Sequence, residues 1–248
     1  MGDKVVVITG ASGGIGAALA ELLSTRGFSM ALVARRQEAL RAVATRCGDR
    51  AFPIVADVTH REEVRRVVDE ALVRFGRIDV WVNNVGQGIS RVPSQLTDGD
   101  IDDIIRVNVK SALYGMQEIL PHFQQRGDGH VINISSMLGR IPFFVPRSAY
   151  NGAKHFLNAL TANFRMEVEQ THPGIQISLV SPGVVRTDFG LNAIHGGVNS
   201  RQLPNSQSAE EAAEVIASVI ESRRPDVYTQ PGSHDRVVGY YDLVGEDP

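Results

Sequence analysis

The segment Val5-Val6-Val7-Ile8-Thr9-Gly10-Ala11-Ser12-Gly13-Gly14-Ile15-Gly16 constrains this chain more than any other. Its β-branched run predicts a buried strand, and the glycines that follow predict a tight turn opening into a helix. Gly10 permits the bend, Gly14 permits close backbone approach, and Gly16 lets the helix lie tightly against the sheet. A helix that starts there presents unpaired N–H groups and the positive end of its dipole, which suits a pyrophosphate. Thr9 and Ser12 can hydrogen-bond within the turn or toward such a ligand, and Ile15 stands in the first helical turn. A glycine-rich turn without a ligand is the competing reading, so the rest of the chain must decide.

Apolar runs alternate with amphipathic stretches along nearly the whole chain. They predict strands at 4–8, 29–34, 51–55, 79–83, 130–135, 175–181 and 226–229, and helices near 14–26, 36–46, 60–75, 100–125, 148–171 and 208–222. Runs such as Met30-Ala31-Leu32-Val33 are apolar on both faces, as in a parallel sheet covered on both sides. The expected architecture is therefore α/β: a doubly wound parallel sheet of about seven strands flanked by helices. No repeat or long linker divides the 248 residues, so residues 1–248 read as one domain. The polar stretch 195–208 reads as a surface excursion within it.

In a sheet of this kind the ligand lies beyond the carboxyl ends of the strands. Strand 2 ends Val33-Ala34-Arg35-Arg36, without the carboxylate that would bond the ribose hydroxyls of NAD. A guanidinium there suits the 2′-phosphate of NADP, so Arg35, with Arg36 beside it, points to NADP(H) while leaving NAD(H) open. Asp57, after strand 3, can accept from the adenine amino group while Val58 covers the ring; it can equally serve as a turn residue ahead of Thr59. Strand 4 ends Asn83-Asn84-Val85-Gly86, where the amides can tie loops together and Gly86 can clear space for the adenosine ribose.

Tyr150 and Lys154 stand at i,i+4 on one helix face. A phenol is a poor base at neutral pH, a nearby ammonium favours its phenolate, and the same phenol can protonate an alkoxide that forms when hydride reaches a carbonyl. Ser136, just past strand 5, can hold the substrate oxygen, and its neighbour Ser135 is a weaker candidate. Asn108 sits inside the apolar helix pattern Ile104–Val109; if buried it needs partners, either a water that relays protons from Lys154 or an ordinary packing hydrogen bond.

With these residues in view, the chain resembles the short-chain dehydrogenase/reductase family from about residue 4 to residue 230. TGASGGIG at 9–16, the adenine-side Asp57 and NNVG at 83–86 match its motifs, and its tetrad falls on Asn108, Ser136, Tyr150 and Lys154. The resemblance implies a single-domain Rossmann fold in which the tyrosine is the acid/base, the serine orients substrate, and the lysine binds the nicotinamide ribose. It also places Ser181-Pro182-Gly183, Val185 and Thr187 beside the nicotinamide. Two features depart from the family pattern. Ser136 and Tyr150 are 14 positions apart, one more than usual, and Gly13 stands where relatives that use NADP often carry a basic residue.

The resemblance further implies a homodimer or homotetramer and no metal. Phe143, Phe144 and Val145 before the catalytic helix, with Phe189 and Leu191 in a flap near 186–207, suggest an apolar mouth for a hydrophobic ketone, secondary alcohol or steroid-like ring. His195, Gly196 and Gly197 could form a flexible part of that flap, and Arg140, Arg147 and Arg201 are the cations near it. The tail with Tyr240, Tyr241 and Leu243 could pack across a neighbour or close a pocket. A net charge of -3 gives no footprint for nucleic acid or an anionic membrane, and no apolar run is long enough to span one. The lone Cys47 forbids an internal disulfide, and the strand begins too early for a signal peptide, so a cytoplasmic setting is expected. The expected function is hydride transfer between NADP(H) and a carbonyl or secondary alcohol. An epimerase or dehydratase on the same scaffold, or a non-catalytic cofactor-binding protein, are the alternatives.

Overall fold

In the computed structural model, which describes residues 4–245, seven strands form one parallel sheet: β1 (Val5–Thr9), β2 (Ser29–Ala34), β3 (Ala51–Val55), β4 (Val80–Asn83), β5 (Gly129–Ile134), β6 (Ile175–Ser181) and β7 (Asp226–Tyr228). Their spatial order is β3-β2-β1-β4-β5-β6-β7, and every neighbouring pair is parallel. The chain builds outward from β1 to β3, then returns to lay β4 on the other side of β1. That reversal opens a crevice at the carboxyl ends of β1 and β4, the usual ligand position in an open α/β sheet.

Alternation along the strands sends side chains to two cores. Val6 and Ile8 join Leu19 and Leu23 of α1 (Gly14–Thr25), Leu40 of α2 (Gln37–Cys47), and Ile216 and Ile220 of α7 (Ala209–Ser222). Val7 and Trp81 face the other side, with Val64 and Val67 of α3 (Arg61–Phe75), Phe123 of α5 (Ser111–Arg126) and Phe164 of α6 (Ser148–Thr171). A smaller cluster beneath the crevice contains Ile89, Ile104, Val109, Ala149 and Tyr150, with Phe189 and Ile194 packed on it.

The element ends fall within a residue of expectation almost throughout; the exception is the helix expected over 100–125. It starts earlier as α4 (Asp98–Ile105), where Thr97 and Asp100 form a reciprocal capping box. It then widens into a π-helical turn at Arg106–Lys110 before continuing as α5. The apolar periodicity runs through this break and so conceals it. A further helix, α8 (Ser233–Tyr241), stands outside the elements the sequence predicts: it is short and only Ser233 of it is buried. In α8 the Tyr241 hydroxyl donates to the Arg140 carbonyl at 2.9 Å, whereas Leu243 beyond it is exposed.

No helix of the described residues is long and apolar enough to cross a membrane. No cluster of His, Cys, Asp or Glu among them could hold a metal ion.

Candidate active site

The glycine turn joins β1 to α1 with the backbone freedom its sequence implies. Gly10 has φ +68° and Gly14 φ +54°, a region that side chains rarely enter. A carbon at Gly16 would lie 2.5 Å from the Gly10 carbonyl, so glycine there is a packing requirement. The first turn of α1 has no side-chain cap and no acidic residue. Its free N–H groups and positive dipole end, approached by glycine backbone alone, fit a dinucleotide pyrophosphate. Ser12, Gly14, Ile15 and Gly16 are the residues that would hold it, and Thr187 closes over Gly14 from the far side.

Asn84 secures this turn. Its backbone N–H donates to Thr9 Oγ1 at 3.0 Å, and its side-chain amide donates to the carbonyls of Thr9 (3.0 Å) and Gly10 (3.4 Å). Asn83 points into the core, accepting from Trp81 Nε1 (2.7 Å) and donating to Asn133 Oδ1 (2.8 Å), as expected of a residue that bridges strands.

Of the two arginines after β2, Arg36 lies across the glycine turn. Its guanidinium donates to Ser12 Oγ at 3.1 Å and to the Ser12 carbonyl at 3.2 Å. Arg35, given more weight by the sequence, lies 3.6 Å from the Asp57 carboxylate and is partly answered by it. Adjacent side chains at a strand end diverge, and here the second swings back over the turn. Asp57 performs the turn role: Oδ1 accepts from the Thr59 N–H (3.0 Å) and hydroxyl (2.8 Å). The Val58 side chain is buried in the core. Gly86 lies against Asn108, Lys154 and Phe189, toward the chemical end of the cleft.

At that end, α6 and the carboxyl edge of β5 bring Ser136, Tyr150 and Lys154 together. The two serines separate cleanly. Ser135 is buried and its hydroxyl donates to Asn158 Oδ1, tying β5 to α6. Ser136 turns outward, and its oxygen accepts from the Leu138 N–H at 3.1 Å. Between Ser136 and α6 the chain runs through two short 3₁₀ turns, Met137–Gly139 and Val145–Arg147. Lys154 is 2% exposed, donates to the Ile134 carbonyl at 2.9 Å, and has Nζ 5.8 Å from the centre of the Tyr150 ring. Asn108, on the π-helical turn, engages protein partners with its side chain. Its amide donates to the Gln87 (2.9 Å) and Ile104 (3.0 Å) carbonyls, and its oxygen accepts from the Gln87 N–H (3.1 Å). Asn108 therefore fixes the loop beside Gly86, which is the packing alternative.

Pro182 accepts from the Met137 N–H at 2.8 Å, and Gly183 packs against Gln230. Val185 pairs with Gln207, joining the two ends of the segment 186–207. The middle of that segment is pinned as well. Ile194 donates to the Gly88 carbonyl and accepts from the Ser90 N–H, both at 2.9 Å. His195 Nε2 lies 2.7 Å from Asp100 Oδ1, so the stretch expected to be flexible is anchored here by a contact that spans 95 positions. Phe189 lies 5.5 Å from Tyr150, ring centre to ring centre, and covers it. Phe143, Phe144 and Val145 remain exposed.

Burial dominates the electrostatics. It pushes the Tyr150 phenol up to about 12, against the opposing influence of the Ser136 hydroxyl and the Arg147 charge. Burial also lowers Lys154 to about 7. Between that value and the ordinary lysine range near ~10, the unfolded chain binds a proton that the folded chain does not. Stability contributed at this site therefore rises with pH across the window, and the burial penalty is full below about 7. Lys154→Met is expected to stabilise the cofactor-free protein by roughly 2–4 kcal/mol near pH ~6, with the gain fading toward pH ~10. Urea denaturation at a series of pH values checks this, and a gain that does not change with pH would contradict it.

The parallel sheet, its uncapped glycine turn and the buried tyrosine–lysine pair define an α/β dinucleotide-binding oxidoreductase. Comparison with known proteins places it further. The family described as short chain dehydrogenase matches residues 4–195. An uncharacterized oxidoreductase of Staphylococcus saprophyticus is 37% identical over 194 residues, covering 75% of this chain and 80% of the relative. A short-chain dehydrogenase from Sphingobium yanoikuyae, solved in complex with NADPH, superposes with a TM-score of 0.82 at 28% identity, over 97% of this chain and 94% of that one. A short chain dehydrogenase/reductase from Burkholderia phymatum, solved in complex with NAD, has the same fold, with a TM-score of 0.88 at 23% identity over 99% and 97% of the two chains. The chain belongs to the short-chain dehydrogenase/reductase family, and it is an NAD(P)-dependent oxidoreductase.

Proposed function

We propose that this protein interconverts an apolar ketone and its secondary alcohol, using NADP(H) in preference to NAD(H). The observation that carries the reading is the joint placement of Tyr150, Lys154 and Ser136 at the mouth of a glycine turn built for a dinucleotide. A nicotinamide held there would supply or accept the hydride. As negative charge grows on the substrate oxygen, the Ser136 hydroxyl stabilises it and Tyr150 donates the phenolic proton, giving the alcohol. Lys154 then lies beside the phenolate and favours it. Asn108 keeps the loop at Gly86 and Gln87 in place, and Thr187, Val185, Pro182 and Gly183 form the wall opposite. The segment 186–207 acts as the substrate flap, with Phe189 its inner apolar surface.

The preference for NADP(H) rests on Arg36 beside Ser12, supported by Arg35, and on the absence of a carboxylate at the end of β2. Arg36→Ala is expected to weaken NADP(H) binding by roughly 1–3 kcal/mol and scarcely affect NAD(H). Calorimetric titration measures both affinities; equal binding of the two cofactors by the native protein rejects the preference.

Assembly is read as a homodimer or homotetramer through α5 and α6, where Phe156 and Met166 each leave 54% of their surface exposed on α6. Light scattering across assay concentrations is expected to give a dimeric or tetrameric mass, and a monomer throughout would defeat that reading. The lone Cys47 accords with a cytoplasmic setting.

A further inference from the structure

Three arginines stand around the mouth of the cleft, and carboxylates answer two of them: Asp226 faces Arg140 and Asp188 faces Arg201. Arg147 is only 6% exposed, yet no carboxylate of the described residues lies within ion-pair distance of it. It immediately precedes α6, three positions before Tyr150. Its guanidinium donates to the Ile89 carbonyl at 3.1 Å and lies over the Phe189 ring, 6.0 Å from the centroid. The same ring packs on Tyr150. Gly88 and Gly197 leave the space it occupies, since a side-chain carbon at either would press on its nitrogens.

Burying a guanidinium without a counter-charge is unfavourable, and a methionine would fill such a slot at less cost. The charge therefore calls for a use, and the groups facing it indicate one. Tyr150 meets Lys154 from its own helix and the Ser136 hydroxyl from beyond β5, and it shares the Phe189 ring with Arg147, whose charge opposes the effect of burial on the phenol; no carboxylate among the described residues does the reverse. Burial makes the Lys154 proton labile near neutrality, whereas a guanidinium keeps its charge throughout the working range.

We propose that Arg147 is a positioning residue that supplies the fixed positive charge governing the ionisation of Tyr150, with Phe189 holding it in place. This rests on Tyr150 being the proton donor. The test follows tyrosinate absorbance during pH titration of the full-length protein with saturating NADP⁺, subtracting the titration of Tyr150→Phe to isolate one phenol. Arg147→Met is expected to shift the Tyr150 titration upward by about one pH unit, and Arg147→Lys to restore most of it. The pH profile of alcohol oxidation, which needs the phenolate, moves in the same direction. A residue that merely ties down the flap predicts the opposite sign, because its loss lets water reach the phenol and lowers its pKa toward ~10. An unchanged or downward-shifted titration in Arg147→Met overturns the proposal. If that variant does not fold, Arg147→Gln, which keeps donors for the Ile89 carbonyl but drops the charge, must show the upward shift instead. Failure of the proton-donor reading is recognised separately, as ketone reduction that survives in Tyr150→Phe.

Discussion

Tyr150→Phe is expected to reduce turnover by at least ~10² while leaving cofactor affinity and folding close to native. The substitution removes one oxygen from a ring that is 6% exposed and packed on Phe189, so the apolar contacts survive. What is lost is the phenolic hydroxyl beside Ser136 and Lys154, the proton donor in the proposed reaction. The phenol is well suited to protonate an alkoxide, because burial holds its proton in place through the neutral range. Single-turnover measurement with saturating cofactor separates this loss from product release, and near-native hydride transfer by the folded variant would remove Tyr150 from the chemistry.

Ser136→Ala is the second large effect expected, a fall of about 10² on the scale of losing one donor to a developing oxyanion. The adjacent substitution is the control. Ser135 donates to Asn158, so Ser135→Ala is expected to cost stability through the β5–α6 tie and little of the chemical step. Comparing kcat with thermal stability for the two variants checks the assignment. A larger loss of kcat from Ser135→Ala would exchange the roles.

The glycine turn and the Tyr150/Lys154 pair were legible in the sequence because each is a local requirement: a backbone conformation in one case, an i,i+4 helix spacing in the other. The seven strands were legible because a sheet buried on both faces leaves apolar runs with little alternation. Features that depend on distant partners were not. Nothing local says that Arg36 turns back to Ser12 while Arg35 meets Asp57, or that Val58 sends its side chain into the core. The π-helical turn at Arg106–Lys110 keeps the apolar pattern and shows itself only by its hydrogen bonds. His195 read as part of a mobile tip because its neighbours are glycines, while its anchor, Asp100, lies on α4. Arg147 was visible as one cation among three. Its isolation from carboxylates emerges only when Asp226 and Asp188 are seen to engage the other two.

The central claim is net hydride transfer between a nicotinamide and a carbonyl carbon, and isotope tracing tests it most directly. The purified protein is given NADPH deuterated at the transferring carbon of its nicotinamide, together with a panel of apolar ketones, and the products are read by mass spectrometry. The expected result is loss of NADPH absorbance matched by one deuterium on the carbinol carbon of the alcohol formed, with both signals lost in Tyr150→Phe. Deuterium retained in the cofactor while a substrate is epimerised or dehydrated, or NADPH bound tightly with none of the panel reduced, would contradict it.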